Sequence, residues 1–130
     1  MTDATPPTNP YQAAPQPLSP SDERLWATLI HVGGIFFGFI PALVGYLVLK
    51  DRGAFIRSHT LTALNFQLSF LLYSIVYSIV VGIIVTITLG LATPLLFVPA
   101  IIILIFSIIA AIAANKGETY SYPLTIQFIK

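Results

Sequence analysis

Residues 58–115 read SHTLTALNFQLSFLLYSIVYSIVVGIIVTITLGLATPLLFVPAIIILIFSIIAAIAAN, 58 residues without one Asp, Glu, Lys or Arg. A water-facing surface of that length would carry charge. A charged side chain at bilayer depth instead costs about 2.5–3.5 kcal/mol on insertion scales. At roughly 20 residues per crossing the run accommodates two membrane-spanning helices. The sequence therefore predicts an all-α integral membrane protein. Composition points the same way: 56% of residues are hydrophobic and only 8% charged, where a soluble domain carries about 25% charge.

The same numbers exclude several classes. A net charge of +1 leaves no basic footprint for nucleic acid, and the absence of cysteine removes disulfides, thiolate nucleophiles and cysteine metal sites. The two histidines, His31 and His59, have no carboxylate or thiolate near them in the hydrophobic block, so neither a metal ligand set nor an acid–base pair is expected. Nucleotide, dinucleotide and nucleophile-elbow motifs are missing. The expectation is a non-enzyme without cofactor or metal.

Outward from the uncharged run, the chain divides into a tail, a membrane block and a C-terminal segment. Residues 1–20 hold six of the ten prolines and read as a disordered, proline-rich tail. A helical membrane domain is expected over 21–130. Its first helix, about 23–50, is announced by Ser21 or Asp22 as a cap. Gly33, Gly34, Gly38 and Pro41 crowd its middle, so it is expected to be broken, as one kinked crossing or as two short helices in a re-entrant hairpin. Gly34, Gly38 and Ala42 form a small-residue row suited to close helix packing. Further helices are expected at about 58–89 and 94–114, with 3–4 hydrophobic helices in all. Residues 115–130 alternate Tyr122, Leu124, Ile126 and Phe128 with polar residues, which suggests an interfacial ribbon or a docking surface.

Basic residues set the orientation. Lys50, Arg52 and Arg57 share a side with Lys116 and Lys130, placing that loop and the C-terminus in the cytoplasm. Within the block, Asn65, Ser69, Tyr73 and Tyr77 recur at i,i+4 on one face of the second long helix, with Gln67 beside them. Leu64, Leu68, Leu71, Ile75 and Ile79 occupy another face. A polar arc of this kind either bonds neighbouring helices or forms a groove for a substrate or a partner's segment. His31 is expected to be neutral and satisfied by Asn65 or a tyrosine, and His59 to sit at the interface. Glu118 is placed to meet Arg52 or Arg57.

Two stretches carry a family resemblance. Ala63-Leu64-Asn65-Phe66-Gln67, after His59, resembles an "H…EALNFQ" signature, and residues 113–126 resemble an "ANKGExYrYPLTI" ending. Both are similar to a family of small bacterial membrane proteins known as domain of unknown function forty-eight seventy, described as similar to the Tic-twenty component of chloroplast protein import. The resemblance covers about residues 22–130. It implies a multi-helix protein of the plasma membrane of a bacterium, without known catalysis, and would carry over Asn65, Gln67, Asn115, Lys116, Gly117, Tyr122 and Pro123 as signature positions. The chain departs from it at Thr62, Ser121 and Gln127. The combined expectation is an interaction or accessory subunit, self-associating or docked to a larger membrane complex. The alternative is a transport or translocation component that uses the polar arc.

Overall fold

The computed structural model describes residues 15–130, and the tail expected over residues 1–14 lies outside them. Four α-helices follow in order: α1 (Pro20–Phe37), α2 (Ile40–Leu49), α3 (Ala54–Ile87) and α4 (Val98–Lys116), the last entered through a short 3₁₀ helix, Thr93–Phe97. Among the described residues no strand occurs. Two helices are long and apolar enough to cross a membrane, Ala54–Ile87 and Thr93–Lys116. Their outer faces present Ile75, Ile79, Ile83, Ile101 and Ile105, as lipid contact requires. The fold is that of an all-α membrane protein.

The capping residue of α1 is Ser19, one turn earlier than Ser21 or Asp22. Its hydroxyl accepts the amide of Asp22 at 3.2 Å, and Pro20 takes the first helical position, where its missing N–H costs nothing. The chain before it is also held. The Leu18 amide donates to the Arg52 carbonyl at 2.8 Å, and Arg52 Nε donates to the Gln16 carbonyl at 2.8 Å. Residues 15–20, expected to belong to the disordered tail, are thus docked on the 50–53 loop.

The first hydrophobic segment is broken where glycine and proline converge. Gly38 adopts φ +62°, ψ −133°, a conformation essentially reserved for glycine, and α2 begins at once with Pro41 in its first turn. The two helices form a hairpin that returns to the side it came from. α1, of 18 residues, is about 27 Å long, and α2, of 10 residues, about 15 Å. The intended row Gly34–Gly38–Ala42 is consequently not one helix face, because the chain reverses in the middle of it. Gly34 packs inside, and Gly38 makes the turn.

α3 starts at Ala54, a full turn before the expected Ser58. Its opening N–H groups find a partner from another helix: Glu23 of α1 accepts the Ile56 amide at 2.8 Å. The same carboxylate fills the space a Cβ on Gly53 would need. With 34 residues α3 runs about 51 Å, so it must tilt or extend past a hydrocarbon core of about 30 Å.

Two different environments follow along α3. Its first half is enclosed on both sides, with Ile56, Ala63 and Leu64 packed against Ala27, Ile30 and Ala42 of the α1–α2 hairpin. Leu64, on the aliphatic face, is therefore in the core, whereas Leu71, Ile75 and Ile79 farther along that face are exposed. α4 packs chiefly on α1 rather than on α3, its chain neighbour. Ala110, Ala111 and Ala114 on α4 are small enough to let α1 approach at Ala27, His31 and Gly34. That leaves a gap between α3 and α4, and the C-terminal segment fills it.

Candidate functional site

α4 ends in a Schellman motif. Gly117 takes φ +80°, its amide donates to Ala114 and the Glu118 amide donates to Ala113 at 2.9 Å. A Cβ at Gly117 would lie 2.6 Å from Arg24 Nε, so the glycine serves both the turn and the close approach of Arg24. Lys116, the last residue of α4, stays exposed. The turn sends residues 118–130 back along α3 rather than over the membrane surface.

The path is recorded by hydrogen bonds. The Glu118 carbonyl meets His59, the Leu124 carbonyl accepts Tyr73 Oη at 2.9 Å, the Ile126 amide donates to Ser69 Oγ at 2.8 Å, and the Ile129 main chain meets Asn65. From His59 to Tyr73 the helix rises about 21 Å. The segment descends that distance, reverses at Pro123 and Leu124, where Leu124 has φ +56°, and climbs back to Asn65. Asn65 grips one residue twice: Nδ2 donates to the Ile129 carbonyl at 2.8 Å and Oδ1 accepts the Ile129 amide at 2.9 Å. Asn65, Ser69 and Tyr73 thus act as a ladder rail built from side chains. They satisfy main-chain groups that at this depth have no water to bond.

The polar arc is therefore not an open groove. Its occupant is the chain's own C-terminus, and the alternating residues 122–128 form neither a strand nor a surface ribbon. Two expected members of the arc lie elsewhere. Tyr77 Oη donates to the Leu95 carbonyl at 2.7 Å, pinning the 3₁₀ turn, and Gln67 Nε2 donates to the Gly34 carbonyl at 3.3 Å. A Cβ on Gly34 would stand 2.7 Å from that nitrogen. Pro123 is exposed in the reversal.

Tyr122 joins the three layers. Its ring stacks on Phe66 of α3 with centroids 3.8 Å apart at 14° and packs beside Ala110 of α4. Its hydroxyl reaches His31 of α1: Oη lies 2.7 Å from His31 Nδ1, His31 Nε2 lies 2.9 Å from His59 Nδ1, and His59 Nε2 lies 2.8 Å from the Glu118 carbonyl. The protons in this chain can be assigned, because a carbonyl only accepts. His59 Nε2 must carry the hydrogen. With neutral rings His59 Nδ1 accepts from His31 Nε2–H, and His31 Nδ1 accepts from the Tyr122 hydroxyl. All three side chains are buried, and burial pushes the Tyr122 phenol well above its ordinary range, which keeps it a donor.

His31 is thus satisfied by a tyrosine and by His59, not by Asn65. His59, expected to make a headgroup or loop contact near the interface, bonds the Glu118 carbonyl just past the end of α4. α3 begins early enough to place it in the second turn, where it is 1% exposed. Glu118 contributes its carbonyl to His59 instead of a carboxylate to Arg52 or Arg57. Ser107, also buried, sets its hydroxyl beside the Tyr122 phenol. The chain of bonds ends on a carbonyl, which cannot take up a proton at neutral pH, so it fixes position and does not relay protons. No three His, Cys, Asp or Glu side chains gather among the described residues, and the facing imidazole nitrogens are joined by a hydrogen bond.

Ten charged residues are described, and the docked tail, the Glu23–Ile56 bond, the Arg24–Gly117 approach and the 50–57 loop collect them at one end of the molecule. The opposite end, Leu89–Phe97, carries none, and Leu89 and Leu91 there are 94% and 86% exposed.

The model of the MamF/MmsF magnetosome magnetite crystal formation protein family matches residues 22–129. The chain belongs to that family. This match overturns the resemblance drawn from the two short motifs: "ALNFQ" and the "ANKGE…YPLTI" ending stand here in the magnetosome family, not in domain of unknown function forty-eight seventy or a Tic-twenty-like family. No curated protein and no solved structure matches the chain. In the magnetosome family member the motif residues have a structural reading: Asn65 holds Ile129, Gln67 holds Gly34, Gly117 turns the chain, and Tyr122 locks the turned segment to α1 and α3. Periodicity signalled Asn65, Ser69 and Tyr73 as one polar face. His59 and Ser69 as partners of residues 118 and 126 had no signal, since neither spacing nor charge links them.

Proposed function

We propose that this protein is a non-enzymatic accessory subunit of the magnetosome membrane, which influences magnetite crystal formation through protein contacts made at its charged end. The observation that carries this reading is the self-filled polar arc. The side chains that could have lined a passage or held a substrate are used to hold the C-terminal hairpin. The uncharged tip at Leu89–Phe97 offers no carboxylate to bind iron or a mineral face, which supports an indirect role.

In this reading the recognition surface comprises Lys50, Arg57 and Lys116, with Asn65, Gln67, Tyr73, Tyr77, Gly34, Gly38, Gly117, Tyr122 and Pro123 as its scaffold. The excess of Lys and Arg favours a cytoplasmic position for that surface and the C-terminus, where other subunits or further copies of the chain would dock.

The test is complementation of a deletion strain, read as crystal size by electron microscopy. A variant carrying Lys50→Gln, Arg57→Gln and Lys116→Gln should reach the membrane yet fail to restore crystal size. Substitutions at Leu89, Leu91 and Thr93 should restore it. The reverse pattern, with tip variants inactive and charge variants active, overturns the proposal.

A further inference from the structure

The α1–α2 hairpin leaves a cleft on its outer side, of about 460 Å³. Pro41 closes it at the turn end, where a Cβ on Gly33 would already stand 3.1 Å from the proline ring. Ile30 and Gly45 form its floor, and Leu29 and Val44 its exposed walls. The cleft is apolar along its length except at the end nearest the loop, where Arg52 borders it. From Pro41 to Leu49 the helix rises about 12 Å, within one leaflet of a core about 30 Å thick.

The charge at its mouth is the second observation. Arg52 uses Nε in its bond to Gln16, and no hydrogen bond within the described residues occupies its terminal amino groups. The same loop presents Lys50 and Arg57 around an open depression that also includes Asp51. An apolar slot that opens sideways into hydrocarbon, with a guanidinium at the headgroup level, has the shape and charge of one kind of ligand. We propose that it binds an anionic phospholipid, with one acyl chain along the α1–α2 cleft and the phosphate on Arg52. Guanidinium suits this role because its planar fork pairs with two phosphate oxygens at once. Basic sites at the cytoplasmic ends of membrane helices recognise anionic headgroups by the same physics. This site stands apart from the C-terminal hairpin, and it does not depend on the role proposed in crystal formation.

Trp26 is the sole tryptophan of the chain and lines this cleft, so its fluorescence reads the occupant directly. The full-length protein is reconstituted in phosphatidylcholine vesicles containing a small fraction of phosphatidylglycerol or phosphatidylcholine brominated on the acyl chain. Brominated phosphatidylglycerol should quench Trp26 at about fivefold lower mole fraction than brominated phosphatidylcholine, the ratio expected for one surface charge contact. Arg52→Gln should abolish the difference, and Lys50→Gln should preserve most of it. Val44→Phe, which fills the slot, should weaken quenching by both lipids. Equal quenching of the wild-type protein by the two lipids overturns the proposal, independently of any variant. So does an equal loss in the Lys50 and Arg52 variants, which would indicate diffuse surface charge. Shielding of Trp26 that grows with protein-to-lipid ratio overturns it in favour of a second copy in the cleft.

Discussion

Replacing Tyr122 by phenylalanine removes one oxygen atom and tests how the C-terminal hairpin is held. The ring stays the same, so the 3.8 Å stack on Phe66 and the contact with Ala110 should survive. What is lost is the donor to His31 Nδ1, 2.7 Å away. His31 is 1% exposed, so water does not replace the donor. A buried acceptor left unsatisfied costs about 1–3 kcal/mol. That cost falls on the docked state of residues 118–130 and not on α3 and α4, whose ladders are intact. At about 1.4 kcal/mol per factor of ten, opening of the hairpin should become about 5- to 150-fold more frequent. Amide hydrogen exchange reads this directly, because the Ile126 and Ile129 amides are bonded to Ser69 Oγ and Asn65 Oδ1 and exchange only when the segment leaves α3. In detergent micelles or nanodiscs both amides should exchange faster by that factor, with α4 amides unchanged. Exchange at Ile126 and Ile129 within twofold of wild type would refute the reasoning. A uniform acceleration throughout α3 and α4 would do the same, by showing that the hydroxyl supports global stability instead of the hairpin.

Other perturbations separate the individual supports. Gly34→Ala should destabilise the protein by about 1–3 kcal/mol, because the new methyl must displace the Gln67 amide. Gly82→Ala, with open space around it, should be neutral or stabilising by up to about 1 kcal/mol; thermal unfolding in detergent measures both. The raised pKa of the Tyr122 phenol gives a pH dependence of fixed sign. Its stabilising contribution is complete below the ordinary tyrosine pKa of about 10 and declines as pH rises above it, since the unfolded chain ionises first. Melting curves between neutral and strongly alkaline pH should show that decline for wild type and less of it for Tyr122→Phe. Reporter fusions at the two termini should give the same side of the membrane, because α1 and α2 form a hairpin and α3 and α4 a second one. Opposite sides would mean that α1–α2 crosses once.

Much of the architecture was legible because the bilayer imposes simple rules. The uncharged run required two spanning helices, and the cluster Gly33, Gly34, Gly38 and Pro41 required a break. The polar arc was visible too, through the i,i+4 recurrence of Asn65, Ser69 and Tyr73. Its occupant was not. Residues 118–130 bond to α3 through main-chain groups, which every residue possesses, so their sequence carries no mark of the partner. The period-two alternation of Tyr122, Leu124, Ile126 and Phe128 suggested a ribbon, yet the chain reverses at Pro123 and Leu124, which buries Tyr122 and leaves Leu124, Ile126 and Phe128 exposed. The enclosure of His59 was not legible for a related reason. Its burial depends on α3 starting at Ala54, and that start depends on Glu23, which is distant in sequence and supplies the missing cap. The short motifs were read to the wrong family, and the match over residues 22–129 corrects it.

Occupation of the polar arc by the chain's own C-terminus is most directly tested by a disulfide trap. The chain has no cysteine, so Ser69→Cys and Ile126→Cys introduce the only pair, at positions whose atoms Oγ and N are 2.8 Å apart. Oxidation in native membranes should give an intramolecular disulfide in most molecules, seen as a faster-migrating monomer that reverts on reduction. Free thiols that label fully, or disulfides formed only between molecules, would contradict the docked hairpin and return the arc to the status of an open groove.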